Sequence, residues 1–294
     1  MALDVAGNIL KTRLKNTILK KGFQGKDAKP EEIKRFRWLN LDNSQNIRTD
    51  DDLFMFMQKH PFSVMLPSDE SILPDLASAL KGEIVFISEY PKVSKQFETV
   101  FQGFGEKYIQ TGKIFEYPLF QSANVLIEKH FFHLLYHLKV NDFVPDGYSL
   151  KILNFISENG PKSKREIRDF FRNDSYLFSR IDSYLYHLIS SFNLYKTNFD
   201  QIDGNIYDIL TNFAPDLKIK PSNSPDLNTL VEFMIASSLY VNPTDLQRGL
   251  KKLISKEEII NSISMLEQTG KIFSTKINRQ KVVVHKETFE KTNI

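Results

Sequence analysis

The stretch from Leu150 to Leu210 constrains this chain most, because its caps, breakers and apolar spacing come in an order that few folds accept. Leu150, Ile152, Leu153, Phe155 and Ile156 form a helical stripe that stops at Glu158-Asn159-Gly160-Pro161. Ser163 is an N-cap, and Glu166 three residues later completes a capping box. The short helix opened there carries Ile167, Phe170 and Phe171. A third helix runs from about Tyr176 to Ser191, with Ile181, Leu185, Leu188 and Ile189 at core spacing. Leu194–Thr197 and Asn205–Leu210 then bracket Asp203-Gly204, a hairpin turn signal. Three helices and a β-ribbon are the plan of a winged helix-turn-helix. The bland alternative is a small helical subdomain that binds nothing.

The same order returns further on. Pro215 to Pro225 is rich in Pro, Ser and Asn and reads as a linker. Leu227 to Tyr240 reads as helix, Asn242-Pro243-Thr244-Asp245 opens another to about Leu253, and Ser255-Lys256-Glu257-Glu258 opens a third to Thr269, closed by Gly270. Lys271–Ile277 and Lys281–His285 pair across Asn278-Arg279-Gln280. The expected class is therefore mainly α (α+β), with tandem winged helix-turn-helix domains at 150–214 and 226–290. Residues 1–149 form a mostly helical domain, either an elaborated winged helix or a different small fold.

Within 1–149, residues 3–21 read as an amphipathic helix, and Pro30-Glu31-Glu32 starts a second one. Thr49 before Asp50, Asp51 and Asp52 reads as a capped helix start. Three consecutive carboxylates do not converge on a metal. Phe62–Leu66 and Ile84–Ile87 read as short strands, Leu73–Leu80 as helix, and Val93–Tyr108 as helix broken near Gly103 and Gly105. Lys113–Pro118 is a short aromatic strand or turn, and an apolar helix spans about Asn124 to Val140. His130, His133 and His137 share one face of that helix. Metal binding by them is geometrically conceivable, and histidines at the polar edge of a packing helix need no metal.

Bulk properties narrow the function classes. The 294 residues contain no cysteine, which excludes disulfides, cysteine-ligated zinc, iron–sulfur clusters and cysteine catalysis. No run of 18 apolar residues suits a membrane span, and Met1-Ala2-Leu3-Asp4-Val5 does not open a signal peptide. Net charge is only +3, but it is unevenly placed: residues 1–37 hold ten Lys or Arg against four acids, and residues 38–80 hold two against seven. A cytoplasmic protein is expected, nucleoid-associated when bound to DNA.

A winged helix offers DNA its third helix and its wing. The central third helix presents Tyr176, Ser179, Arg180 and Ser183, and the helix before it adds Lys162, Lys164, Arg165 and Arg168 as phosphate partners. Residues 150–210 hold eight bases and eight acids, so a DNA face there must come from placement. The second wing carries Lys271, Lys276, Arg279, Lys281 and Lys286, suited to phosphates.

Three stretches also resemble the AlkZ/YcaQ-type winged-helix DNA glycosylases. Trp38-Leu39-Asn40-Leu41-Asp42-Asn43-Ser44-Gln45-Asn46-Ile47 resembles the segment around that family's Gln-aliphatic-Asp or Gln-aliphatic-Gln motif. Gly112-Lys113-Ile114-Phe115-Glu116-Tyr117 resembles its Gly-x-aliphatic-Phe-Glu-Tyr element. Ile152 to Ile167 and Asn205-Ile206-Tyr207-Asp208-Ile209 resemble its central winged helix. The resemblance implies excision of alkylated or crosslinked purines from double-stranded DNA, with Asp42 and Asn40 as catalytic residues and no metal or other cofactor. Asn40 stands where the family has Gln, one methylene shorter. The β-rich domain that members usually carry has no room after residue 290. The alternatives to this reading are a non-enzymatic DNA-binding or transcription-associated protein, and a protein-interaction module.

Overall fold

The computed structural model describes residues 47–65, 73–82, 85, 87–120, 123–139, 145–200, 203–219, 226–238, 240–251, 254–277 and 280–287. Within them the chain is mainly helical, with three small antiparallel sheets. The helices expected over residues 3–21 and from Pro30 lie outside the described residues.

Thr49 opens α1 (Asp50–Lys59): its hydroxyl accepts from the Asp52 N–H, and the Asp52 carboxylate accepts from the Thr49 N–H. The three acids are thus the first turn of a helix, as expected. β1 (Phe62–Val64) follows, then α2 (Leu76–Lys81), capped by Asp75. α3 (Tyr90–Gln96), α4 (Glu98–Phe104) and a π-helical turn (Gly105–Ile109) come next. The hairpin of β2 (Ile114–Phe120) and β3 (Ala123–Glu128) leads into α5 (Lys129–Lys139).

Two expectations fail here. Val85 and Ile87 lie in no strand; Val85 is buried and donates its N–H to Ser78 Oγ at 2.9 Å, so a side chain anchors that apolar run. The apolar helix begins at Lys129 rather than Asn124, because Val125 and Ile127 sit in the middle strand of a sheet, bonded to β1 on one side and β2 on the other. Two β-branched residues at alternate positions suit that pleat.

The central unit comprises α6 (Gly147–Asn159), β4 (Lys162–Ser163), α7 (Lys164–Phe170), α8 (Ser175–Ser190), β5 (Leu194–Asp200) and β6 (Gly204–Ile209). The Ser163–Glu166 capping box forms as expected. A short helix, α9 (Leu210–Phe213), and a 3-10 turn (Pro215–Lys218) follow. The front of the expected linker is therefore packed, with Leu217 wholly buried. The last unit comprises α10 (Leu227–Ser237), β7 (Tyr240–Val241), α11 (Pro243–Leu250), α12 (Lys256–Gln268), β8 (Ile272–Ile277) and β9 (Gln280–His285). Tyr240 falls in a strand opposite Val284, so α10 ends three residues earlier than the apolar run suggests.

Each sheet is assembled alike. A strand of two or three residues after the unit's first helix pairs with the returning strand of the hairpin, giving the orders β1-β3-β2, β4-β6-β5 and β7-β9-β8. The caps agree: Thr49, Asp146 and Asp226 open the first helices, and Asp75, Ser163 and Asn242 the second. The turn into each hairpin agrees too. The Gly112 N–H bonds Ile109 O and the Lys113 N–H bonds Tyr108 O; Phe192 and Asn193 do the same with Ile189 and Leu188, and Gly270 and Lys271 with Glu267 and Leu266. These are Schellman turns, whose pivot needs positive φ. Gly112 and Gly270 supply it without strain, and Gly-Lys-Ile-Phe is repeated at 112–115 and 270–273. The central pivot is Phe192, at φ +61°. Its ring, 2% exposed, stacks on Tyr117 of β2 with centroids 4.4 Å apart. A strained backbone is held there by an aromatic contact between units.

The first and last units share their cores. Val283 of β9 joins the cluster that contains Phe115, Phe132 and Met234, while Val282 and Val284 point to the cluster of Leu53, Phe56 and Phe104. The central unit keeps its own core of Ile156, Ile181, Leu185 and neighbours. It meets β2 through Tyr195, wholly buried, whose hydroxyl accepts from the Glu116 N–H at 3.2 Å, and through Tyr117, whose hydroxyl donates to Ser190 O. Burial pushes the pKa of both phenols up.

Candidate nucleic-acid interface

On the central unit, α7 and α8 carry most of the cations expected to meet phosphates, and the fold pairs them with acids. Lys162 Nζ lies 3.2 Å from Glu166, whose pKa is held low first by the Ser163 N–H. Lys164 Nζ is 2.7 Å from Asp182 Oδ1, and Arg168 Nη2 is 3.2 Å from Oδ2 of the same carboxylate. Arg165 reaches Asp203 in the hairpin turn at 3.3 Å and Asp169 at 3.9 Å. These ion pairs lie at the surface and are individually weak. Arg180 differs. Its guanidinium sits 4.4 Å from the Tyr176 ring centroid and donates to the Tyr176 hydroxyl at 2.5 Å, with no carboxylate partner among the described residues.

The last hairpin is arranged otherwise. Lys276 and Lys281 stand directly opposite one another across β8 and β9, both exposed. Neither forms an ion pair with a described residue. Lys271, at the base of the hairpin, is bound to the largely buried Glu232 at 2.7 Å, and His285 lies 3.5 Å from the same carboxylate. Arg279 lies outside the described residues. By sequence, Asp200-Gln201-Ile202-Asp203 at the central hairpin is acidic, whereas Ile277-Asn278-Arg279-Gln280 is basic. Among the described residues, the last hairpin thus differs from the central one in carrying opposed lysines without an ion pair.

Asn40 and Asp42 also lie outside the described residues. The Gly112–Tyr117 stretch is a turn followed by β2. Phe115 and Tyr117 are buried, and Glu116 is bound by Lys196 at 3.0 Å and Asn124 at 2.7 Å, so this stretch locks the first unit to the central one. The histidines of α5 diverge in role. His130 bonds Glu128 at 2.8 Å on the surface, His133 is buried 3.5 Å from Asp216, and His137 packs edge-on to Tyr136. Among the described residues no group of three metal ligands forms.

Sequence reasoning missed two arrangements. One is the cluster in which Asp51 accepts from Lys107 at 2.5 Å and from Tyr108, fixing the π-helical turn on α1; hydrogen bonds from Lys107 and then Tyr108 hold the Asp51 pKa low. Residues 56 apart leave no local signal. The other is a tyrosine group on α6 and α8, whose helical spacing was readable but whose members belong to separate helices.

No family model matches the sequence, and no curated protein matches it. Among solved structures, the chain is similar to the DNA glycosylase AlkZ of Streptomyces sahachiroi, at 10% identity and a TM-score of 0.48, over 88% of this chain and 71% of that one. No described helix is long and apolar enough to cross a membrane.

Proposed function

We propose that this chain is a duplex-DNA-binding protein built of three winged-helix units, whose last hairpin is a phosphate contact. One observation carries the reading: Lys276 and Lys281 face each other across β8 and β9, and neither forms an ion pair with a described residue. Like charges placed opposite in a ribbon destabilise it, and a phosphate backbone removes that repulsion while fixing the wing on DNA. The recurring strand order and capping of the three units support the winged-helix assignment.

For the activity, we infer from the sequence resemblance a monofunctional glycosylase acting on alkylated or crosslinked purines. The resemblance is carried jointly by Trp38–Ile47, Gly112–Tyr117 and the central unit, and the Gly-Lys-Ile-Phe part of the second stretch also recurs at residues 270–273 as a turn. In this reading the N-glycosidic bond breaks toward the base, the Asp42 carboxylate opposes the positive charge growing on the deoxyribose, and Asn40 orients the water that adds to the sugar carbon. The water's second proton leaves with the solvent or the base.

Single-turnover excision on duplex DNA containing an alkylated purine tests this, with Asp42→Asn alongside. Base release by the parent and its loss in the variant is the expected result. Salt-dependent binding without release would leave a non-enzymatic DNA binder. Absence of binding at low salt would overturn both readings.

A further inference from the structure

The last hairpin reaches beyond the sheet that supports it. β7 pairs with β9 at Tyr240–Val284 and Val241–Val283, so the Thr275–Val282, Lys276–Lys281 and Ile277–Gln280 pairs belong to a two-stranded ribbon. Such a ribbon holds little shape alone, and its direction is set where it leaves the domain. Lys276 and Lys281 stand four residue pairs out from Ile272–His285 at that base, about 13 Å at a strand's rise per residue. A tilt of about 10° at the base would carry both ammonium groups about 2 Å sideways, most of the length of a charge-assisted hydrogen bond. Buried Val283 and Val284 anchor β9 against the core, whereas β8 is the outer strand.

One carboxylate closes this base. Glu232 of α10, its side chain 16% exposed, turns Oε2 to Lys271 Nζ at 2.7 Å and Oε1 to His285 Nε2 at 3.5 Å. Its partners are the feet of the two strands. Lys271 precedes β8, His285 ends β9, and the Lys286 N–H donates to Lys271 O at 2.9 Å between them. A second tie, from the Ser274 hydroxyl to Glu267 of α12, holds β8 further along. Among the described residues the carboxylate clamp belongs to the last unit alone. At the matching position after the turn, Lys113 lies over the Tyr108 ring at 5.5 Å, and Asn193 donates to Ser191 O at 3.1 Å. Taking a carboxylate out of water offsets most of what its ion pair returns, so such a pair suits fixing geometry better than adding stability.

We propose that Glu232 is a positioning residue for DNA binding: it touches no DNA, and by holding Lys271 and His285 it aims the ribbon so that Lys276 and Lys281 meet phosphates together. The inference rests on the reading of the last hairpin as a phosphate contact, and it moves Lys271 from the phosphate contacts to the clamp. Sign separates aim from charge. Glu232→Gln removes a negative charge, which by its field alone would tighten the binding of a polyanion. That field is weak at the lysines, about 13 Å away against a screening length of about 8 Å at physiological salt. Loss of aim weakens binding instead.

The test measures binding of a labelled duplex over a range of salt for the parent, Glu232→Gln, Lys276→Gln/Lys281→Gln and the triple variant, all below their melting temperatures. Glu232→Gln should weaken binding severalfold and lower the slope of log K against log salt toward that of the lysine pair, about 1.8 below the parent. In the lysine-pair background the same substitution should change affinity by less than about twofold. If Glu232→Gln loses helical content, Glu232→Asp, which keeps the charge but falls one methylene short of both feet, takes its place with the same expectations. The ribbon is also read without DNA. The chain has no cysteine, so Gln280→Cys carries a single nitroxide at the exposed end of β9, and its motion should increase when Glu232→Gln is added. A slope lowered by the lysine pair but not by Glu232→Gln would overturn the proposal and leave the DNA reading standing. Tighter binding, additive losses in the triple variant, or an unchanged nitroxide would overturn it as well. An unchanged slope in the lysine pair itself would remove the phosphate contact, and this inference with it.

Discussion

Replacing Lys276 and Lys281 by glutamine separates the DNA contact proposed for the last hairpin from what the hairpin does for the fold. The two side chains face each other on an exposed ribbon, and neither is bound by an acid among the described residues. If each contacts one phosphate, each releases about 0.9 counterion on B-DNA, so the double variant should lower the slope of log K against log salt by about 1.8. Between 50 and 200 mM salt, a fourfold change, the advantage of the parent over the variant should then shrink by about twelvefold. Stability should move the other way. Opposed like charges cost a ribbon about 0.2–1 kcal/mol, so the variant should melt no lower than the parent. Fluorescence anisotropy with a labelled 20-base-pair duplex gives the first quantity, and thermal unfolding by circular dichroism the second. An unchanged salt slope would remove the wing from the interface. A lowered melting point would mean that the lysines serve the fold through contacts with their neighbours.

Phe192→Gly should relieve about 1–2 kcal/mol of left-handed strain and lose about 3–5 kcal/mol of ring packing, a net destabilisation of about 1–4 kcal/mol in urea unfolding; a variant as stable as the parent would show that the turn, not the ring, dominates this junction. A pH dependence should come from His133. Burial holds its pKa below the ordinary value, with Asp216 opposing and Lys129, His137 and His130 assisting. The unfolded chain therefore binds more protons as pH falls through the ordinary histidine range of about 6.5, and stability is lost in that direction. Asp216 acts below this window: burial pushes its carboxyl up, but the hydrogen bond and charge of Lys129 together with the charge of His133 outweigh it and the net pKa is low, so its contribution is lost only in the carboxylate range. His133→Gln should flatten the melting point between about pH 5 and 7, and an unchanged profile would place the titration elsewhere.

The central and last units were legible because their signals are local. Ser163 with Glu166 and Ser255 with Glu258 are capping boxes that form as the sequence states them, and the hairpin at Asp203-Gly204 closes where expected. In the first unit the same plan is obscured. Ten residues separate Val64 from the cap Asp75, so the short strand and the second helix no longer read as neighbours. The third helix is divided into α3, α4 and a π-helical turn, and its apolar spacing drifts at each junction. β3 was read as helix because a strand bonded on both sides can be apolar throughout, which periodicity alone does not separate from a buried helix. The repeated Gly-Lys-Ile-Phe was the readable clue: each copy ends a helix in a left-handed turn and starts a hairpin, so the second copy, in a recognisable unit, identifies what the first is doing.

The site was less legible than the fold, for an electrostatic reason. A list of cations treats Lys164, Arg168, Lys276 and Lys281 alike. Only the fold shows that Asp182, eighteen and fourteen residues away from the first two, engages both, whereas the other two face each other across a ribbon. The balance of eight bases and eight acids over residues 150–210 therefore reflects mutual pairing of side chains rather than segregation into a positive face. That pairing sets the central cations apart from the opposed lysines of the last hairpin, whose unrelieved repulsion is the feature that suits the proposed anionic partner. Substitutions at Lys276 and Lys281 should accordingly lower salt-dependent binding to DNA more than substitutions at Lys164 and Arg168, which Asp182 already holds. An equal loss of salt slope from the two pairs would mean that Asp182 does not withhold its cations from DNA, and the charge argument that separates them would fail.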